Sequence, residues 1–305
     1  METDTGKHHS HHPEGWRAQH WDESMTTAPD LYRVYPPHPA VASIVERFLY
    51  ADINDGVDYQ IRPFPTGRCF IGFVFRDPIS SQRGTHMTST SGFHFCGHVE
   101  EDDINVHYSG EIGHIMAELK PAGLMRLFGI PAIEINGLSV DIRDFLPRRA
   151  VSRMLDRVGR ARSRASRIAA FSRMLLEQLG TQPDKRSIIG SVAAEIDRKH
   201  GRIKVKDLAD RFEIPQRTLT RQFTETVGLA PKRYATIARL NGTIRQLSTG
   251  RPPTLAKVAA DNGYFDEAHM SHDFTRYFGM SPARFVEARN AMILSYAGAT
   301  PLDTL

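Results

Sequence analysis

The chain has 305 residues, 40% hydrophobic and 24% charged, a balance that suits two folded domains and excludes a fibrous or low-complexity protein. No apolar run reaches the ~20 residues of a membrane-spanning helix, the N-terminus lacks a hydrophobic signal core, and two cysteines are too few for a disulfide framework. The net charge of +4 conceals an asymmetry: residues 198–290 carry 17 Lys and Arg against nine Asp and Glu, and the remainder is net acidic. A basic end on an acidic body points to a polyanionic partner and, with the reduced cysteines, to the cytoplasm.

Residues 1–30 are polar and His-rich (His8, His9, His11, His12) and are expected to form a disordered extension. From 31 to 147 the pattern is β: YQIRPFPTGRCFIGFVF alternates apolar and polar residues, and FHFCGHVE, INVHYSG and IGHIMAELK follow at short spacing between Gly, Ser and Asp clusters. The stretch PAVASIVERFLY ahead of them reads as a short helix. Residues 148–180 turn helical, with Val151, Leu155 and Val158, then Ile168, Phe171, Leu175 and Leu179, at helical spacing on either side of Gly159. This Arg-rich pair reads as a solvated face over an apolar stripe that offers a dimer interface. TQPDKRS is a linker, residues 186–290 are helical, and 291–305 form a tail. The expected fold class is α+β multidomain, mostly β first and all-α second.

In FHFCGHVE, His94, Cys96, His98 and Glu100 alternate, so a regular strand aims all four at one face. These are sensible ligands for a divalent metal such as zinc, with His107 or His114 as a further ligand. Against this, Gly97 introduces a bulge, and a half-buried strand holds such residues without any ligand. The expectation is no metal and no cofactor.

The helical third contains a repeat. GLAPKRY at 228–234 returns as GMSPARF at 279–285, and Leu219 and Phe223 return as Met270 and Phe274 at the same offset. Upstream, KDLADRFEIP parallels AKVAADNGYF with a one-residue slip at the turn. Each copy therefore reads as a short helix, a tight turn and a second helix ended by Gly. Ala209 and Ala259 let the helices cross closely, Gly263 supplies permissive backbone in the second turn, and Pro215 fits just inside the second helix of the first copy. The outward residues are Gln216, Arg217, Thr220, Arg221 and Thr224 in the first copy, and Glu267, Ala268, Ser271, His272 and Thr275 in the second.

The paired motifs KDLADRFEIPQRTLTRQFTETVGLAPKRY and NGYFDEAHMSHDFTRYFGMSPARF, with Arg239-Leu240 between them, resemble the DNA-binding domain of the AraC/XylS family of bacterial transcription regulators over residues 186–290. The resemblance implies double-stranded DNA as partner, with the second helix of each motif in one of two successive major grooves. It further implies RNA polymerase as a partner and an N-terminal domain with a cupin-like β-barrel that binds a small-molecule effector and forms a homodimer. Carried over by position, Arg217 and Arg221 are candidates for base-edge contact, and Gln216 and Thr220 for adenine or backbone contact. Glu267 reads as a helix-start cap after Asp266, and His269 as a packed or phosphate-facing residue. His272 and Ala268 depart from the family's usual residues at their positions. Two other readings remain: a cupin-type metal-dependent enzyme with a helical appendage, resting on the His94/Cys96/His98/Glu100 alternation, and an effector-independent architectural DNA binder. No P-loop or G-x-S-x-G element supports catalysis, and the protein is expected not to be an enzyme.

Overall fold

The structure, a computed structural model, describes residues 31–61, 63, 65–99, 104–137, 139–181, 188–248 and 253–288. The N-terminal extension, Glu100 and the tail at 291–305 lie outside the described residues. Six strands form one antiparallel sheet: β1 (Arg33–Tyr35), β2 (Val45–Ile61), β3 (Phe70–Arg83), β4 (His86–Cys96), β5 (Ile104–Leu119) and β6 (Ser139–Asp141), in the order β1-β2-β5-β3-β4-β6.

The stretch read as a leading helix is instead a 3-10 turn at Pro39–Val41 followed by strand β2. Val45, Phe48 and Tyr50 enter one core while Leu49 and Ala51 enter another. A strand buried on both faces is a continuous apolar run, and such a run carries no period that separates it from a helix. Register breaks between Ile53 and Val57 on β2, and between Val74 and Ile79 on β3, bend the long strands; Pro78 sits in the second break, where no ladder hydrogen bond is demanded of it.

One face of this sheet packs on helices α1 (Gly123–Phe128), α2 (Arg148–Gly159) and α3 (Arg164–Thr181). Phe171 of α3 anchors them, 5.9 Å from Phe48 and 5.6 Å from Phe93 between ring centroids. The buried stripe of α2 is Val151, Met154 and Val158; Leu155, expected inward, is exposed, because the helix turns Met154 to the sheet. The arginines of this pair are not all solvated either. Arg167 is buried, donates to the Tyr50 hydroxyl at 2.7 Å and stacks 3.6 Å from the Phe75 ring centroid. The opposite face of the sheet, with Phe70, Tyr108 and Met116, lines a cavity of about 370 Å³. The result is a β domain with helices on one face and a cavity on the other.

The remaining helices are α4 (Ile188–Arg198), α5 (Val205–Arg211), α6 (Gln216–Val227), α7 (Pro231–Leu247), α8 (Leu255–Asp261), α9 (Glu267–Phe278) and α10 (Pro282–Ala288). They share one apolar core that runs from Ile189 to Phe285. No helix among the described residues is long and apolar enough to cross a membrane.

Candidate nucleic-acid interface

The repeat builds the same object twice. In α5–α6 the turn is made by Phe212, Glu213 and Ile214; in α8–α9 it is made by Asn262, Gly263 and Tyr264. Ile214 N–H donates to Ala209 O and Tyr264 N–H to Ala259 O, both at 3.0 Å. The middle residue of each turn is left-handed, Glu213 at φ 54° and Gly263 at φ 73°. At Gly263 a side chain would also collide with Arg202, whose stem lies 2.3 Å from where a Cβ would stand. The second copy then inserts Phe265, 92% exposed, before its helix begins, which accounts for the one-residue slip in the repeat.

The two helix starts differ. Pro215 is the residue before the first turn of α6, with extended ψ 132° and no side-chain cap bond, so it stands just outside the helix rather than inside it. Asp266 caps α9, its Oδ1 accepting from His269 N–H at 2.7 Å. The cap expected of Glu267 is therefore made by its neighbour, and Glu267 adds only first-turn charge.

Both helices end identically. Gly228 (φ 88°) and Gly279 (φ 68°) turn left-handed, and their N–H groups donate to Thr224 O and Thr275 O at 2.8 Å. A Pro then opens the next helix in each case, Pro231 for α7 and Pro282 for α10. Inside, Leu219, Phe223, Met270 and Phe274 are fully buried, and Phe223–Tyr234 and Phe274–Phe285 make matching edge-to-face pairs at 5.5 and 5.3 Å.

With those stripes turned inward, the outer faces point away from the helical core, that of α6 lying beside Ile133 of the β domain. Gln216, Arg217 and Arg221 are exposed on α6, and Thr220 and Thr224 are half-buried beside them. Arg221 lies 4.0 Å from Glu225, and the Thr224 hydroxyl donates to Thr220 O at 2.8 Å. On α9, Glu267, Ala268, His272 and Thr275 are exposed and Ser271 is half-buried. His269 packs edge-on against Tyr264 at 5.3 Å between centroids, with Nε2 3.9 Å from Asp273. The interval between the two presented helices is set by α7, whose 17 residues span about 26 Å at 1.5 Å per residue. That is of the order of the ~34 Å repeat of the major groove.

Residues 208–288 match the family model of a helix-turn-helix domain. An AraC-like protein of Streptomyces lividans is 40% identical over 81 residues, covering 27% of this chain and 26% of that one. The transcriptional activator RhaS of Escherichia fergusonii is 36% identical over 86 residues, covering 28% and 31%. Over this domain the chain is similar to AraC-like transcription regulators. The chain spans only about a quarter to a third of the length of these curated relatives. Among solved structures, ToxT of Vibrio cholerae is 10% identical, covering 79% of this chain and 98% of that one at a TM-score of 0.45. The DNA-binding domain of AdpA in complex with a target DNA is 28% identical over 34% of this chain and 94% of that one, at a TM-score of 0.32.

The helix–turn–helix domain is tied to the β domain through the end of α6, a connection with no sequence signal. His98 Nε2–H donates to Val227 O and Asn136 Nδ2–H to Gly228 O. Nearby, Arg68 donates to Asp197 at 2.8 Å and to the Tyr234 hydroxyl, and Asn241 donates to Thr66 O at 2.9 Å. Burial would depress the Arg68 pKa, but Tyr234, Asp197 and Glu118 together raise it.

These contacts also settle where the FHFCGHVE residues go. His94 and Cys96 line the cavity, whereas His98 lies past the end of β4 and faces α6, with Cys69 Sγ 3.6 Å from its Nε2. His107, one proposed extra ligand, pairs with Asp58 at 2.6 Å. Among the described residues no three His, Cys, Asp or Glu side chains gather as a metal site. Burial pushes the Cys69 thiol up to about 12 and Cys96 to about 11, so neither is a thiolate near neutral pH.

Proposed function

We propose that the protein is a DNA-binding transcription regulator whose α6 and α9 read two successive major-groove segments. The observation that carries this reading is the duplicated helix–turn–helix, with matching turns and glycine C-caps, on a stretch with eight excess positive charges. Lys and Arg contacts to phosphate supply most of the affinity and make it salt-dependent, and the α6 and α9 side chains supply selectivity. Arg217 and Arg221 are the base-reading candidates of α6. On α9, which presents Ala268 and His272, selectivity rests on Ser271, His272 and Thr275.

We further propose that a small molecule in the β-domain cavity controls this binding. The support is the position of the cavity wall: Thr66, Arg68, Gly97, Val99 and Gly137 line it, and those residues or their chain neighbours His98 and Asn136 make the contacts to α4, α6 and α7. RNA polymerase and a second copy of the chain are the further partners of this reading.

Selection from random duplex DNA with the full chain tests it. Enrichment of two submotifs about one helical turn apart is expected. Arg221→Ala should then weaken the selected site by ~10- to 100-fold while changing random DNA far less. Equal loss on both would make Arg221 a backbone contact, and no preference for any sequence would leave an architectural binder.

A further inference from the structure

At one end of the cavity the polar groups form a small, incompletely satisfied set. His94, Gly72 and His114 stand side by side across β4, β3 and β5, Gly72 pairing with His94 and Val74 with His114 in the strand registers. Gly72 leaves the room they occupy: a Cβ there would lie 2.4 Å from His94 Nε2 and 2.8 Å from His114 Nε2. Both Nε2 atoms thus pack over Gly72 at this end of the cavity. His114 is buried and its Nε2 has no hydrogen-bond partner.

The partners of the other ring nitrogens bear on what those two atoms offer: Gly92 O sets the His94 tautomer, and the Tyr32 hydroxyl pairs with either tautomer of His114. His94 Nδ1 lies 3.3 Å from Gly92 O, and a carbonyl only accepts, so Nδ1 carries the proton and Nε2 is a bare acceptor. His114 Nδ1 lies 2.6 Å from the Tyr32 hydroxyl, which also meets the Tyr108 hydroxyl at 3.0 Å. With Tyr32 donating to Nδ1, His114 Nε2 carries its ring proton and is a donor. Burial holds both rings neutral, His94 at about 4 and His114 well below its usual range. In that tautomer the pair presents one donor and one acceptor side by side.

We propose that this cavity binds an uncharged, largely apolar small molecule bearing a hydroxyl, an alcohol or phenol whose oxygen accepts from His114 Nε2–H and whose proton goes to His94 Nε2. This rests on the effector reading above and names the ligand class for it. The rest of the site agrees. Ile61, Phe70, Ile79, Val106 and Met116 supply apolar wall. The cavity's hydroxyls are already paired, Ser81 with Thr88 at 2.6 Å and Thr90 with Ser139 at 3.4 Å. A carboxylate is disfavoured at this end because the rings are neutral and Asp141, the register partner of His94, is held ionised by Arg143. Of the two arginines that line the cavity, Arg68 is engaged by Asp197 and Tyr234, and Arg83 donates to Gly137 O at 3.4 Å.

Calorimetric titration of the full chain with four matched probes tests the assignment: 4-butylphenol, 4-butyltoluene, 4-butylbenzoate and 4-butylaniline. The phenol should bind ~10- to 100-fold more tightly than the toluene or the benzoate, since a buried donor and acceptor go unpaired without the hydroxyl. In His114→Phe the phenol should fall to the level of the toluene; the wild-type comparison stands by itself if that variant does not fold. Equal binding of toluene and phenol overturns the hydroxyl assignment but leaves a ligand-binding cavity. Preference for the benzoate overturns the neutral-ligand class, and preference for the aniline reverses the His114 tautomer and overturns it too. Binding of none of the four overturns both this assignment and the effector reading.

Discussion

His98 shows how far one side chain's role depends on where the chain places it. Its Nε2–H is committed to the last carbonyl of α6, it is buried, and burial lowers its pKa to about 4. His94 is lowered to a similar value, and His114 moves in the same direction. The unfolded chain therefore takes up these protons first, near the usual 6.5. Stability is whole above that pH and falls as pH drops; for His94 and His98 the loss stops near pH 4, below which both states are protonated, and for His114 it continues further down. Each histidine should contribute roughly 1.4 kcal/mol per pH unit in that window. Urea unfolding at pH 7.5 and pH 5 should show the loss. His98→Gln, which keeps a donor for Val227 O, should make the dependence visibly shallower; an unchanged slope would mean that His98 is open to water.

At the scale of elements, the two helix–turn–helix units solve one backbone problem with different residues. The middle residue of the turn must be left-handed, which Gly263 does without strain and Glu213 does at a cost of ~1 kcal/mol. Glu213→Gly should stabilise the protein by up to ~1 kcal/mol, the gain in the native turn being partly offset by a freer unfolded chain. Gly263→Ala should destabilise it by more than that, because its Cβ also collides with Arg202. Thermal melts of the two variants decide it; a destabilised Glu213→Gly would show that the Glu213 side chain contributes more than its backbone strain.

Over the whole molecule, a buried polar chain joins the two halves: Arg47 to Glu118 at 2.5 Å, Glu118 to Arg68 at 3.7 Å, and Arg68 to Asp197 and Tyr234. Removing its middle member leaves Asp197 without that cation while Glu118 keeps Arg47, and because Asp197 is about a third exposed the loss should fall below the ~3–5 kcal/mol of a fully buried pair. Arg68→Ala should therefore loosen the docking of the β domain on the helices. Hydrogen exchange should quicken at α4 and at the start of α7 while the β-sheet core stays protected. Uniform loss of protection would instead make the two halves a single cooperative unit.

The legible parts of this protein are those whose cause is local. The repeat, the inward Leu219/Phe223 and Met270/Phe274 pairs, and the glycines that end α6 and α9 follow from spacing and backbone chemistry, so the outer faces of both helices were readable in order. Strand alternation identified the β domain but missed the start of β2, where both faces are buried and no period survives. Leu155 and Arg167 were misassigned because an apolar stripe and a charged residue do not say which way a helix is rotated against a sheet. His94, Cys96, His98 and Glu100 looked like one constellation by number alone. The end of β4 at Cys96 broke it, sending His98 to α6 while His94 met His114 from β5 over Gly72. By itself the sequence determined the duplicated helix–turn–helix domain, because each motif is built from residues near one another in the chain. The cavity, its histidine pair and the contacts that tie it to α6 were decided only by tertiary structure, because their atoms come from strands and helices whose meeting no local pattern encodes.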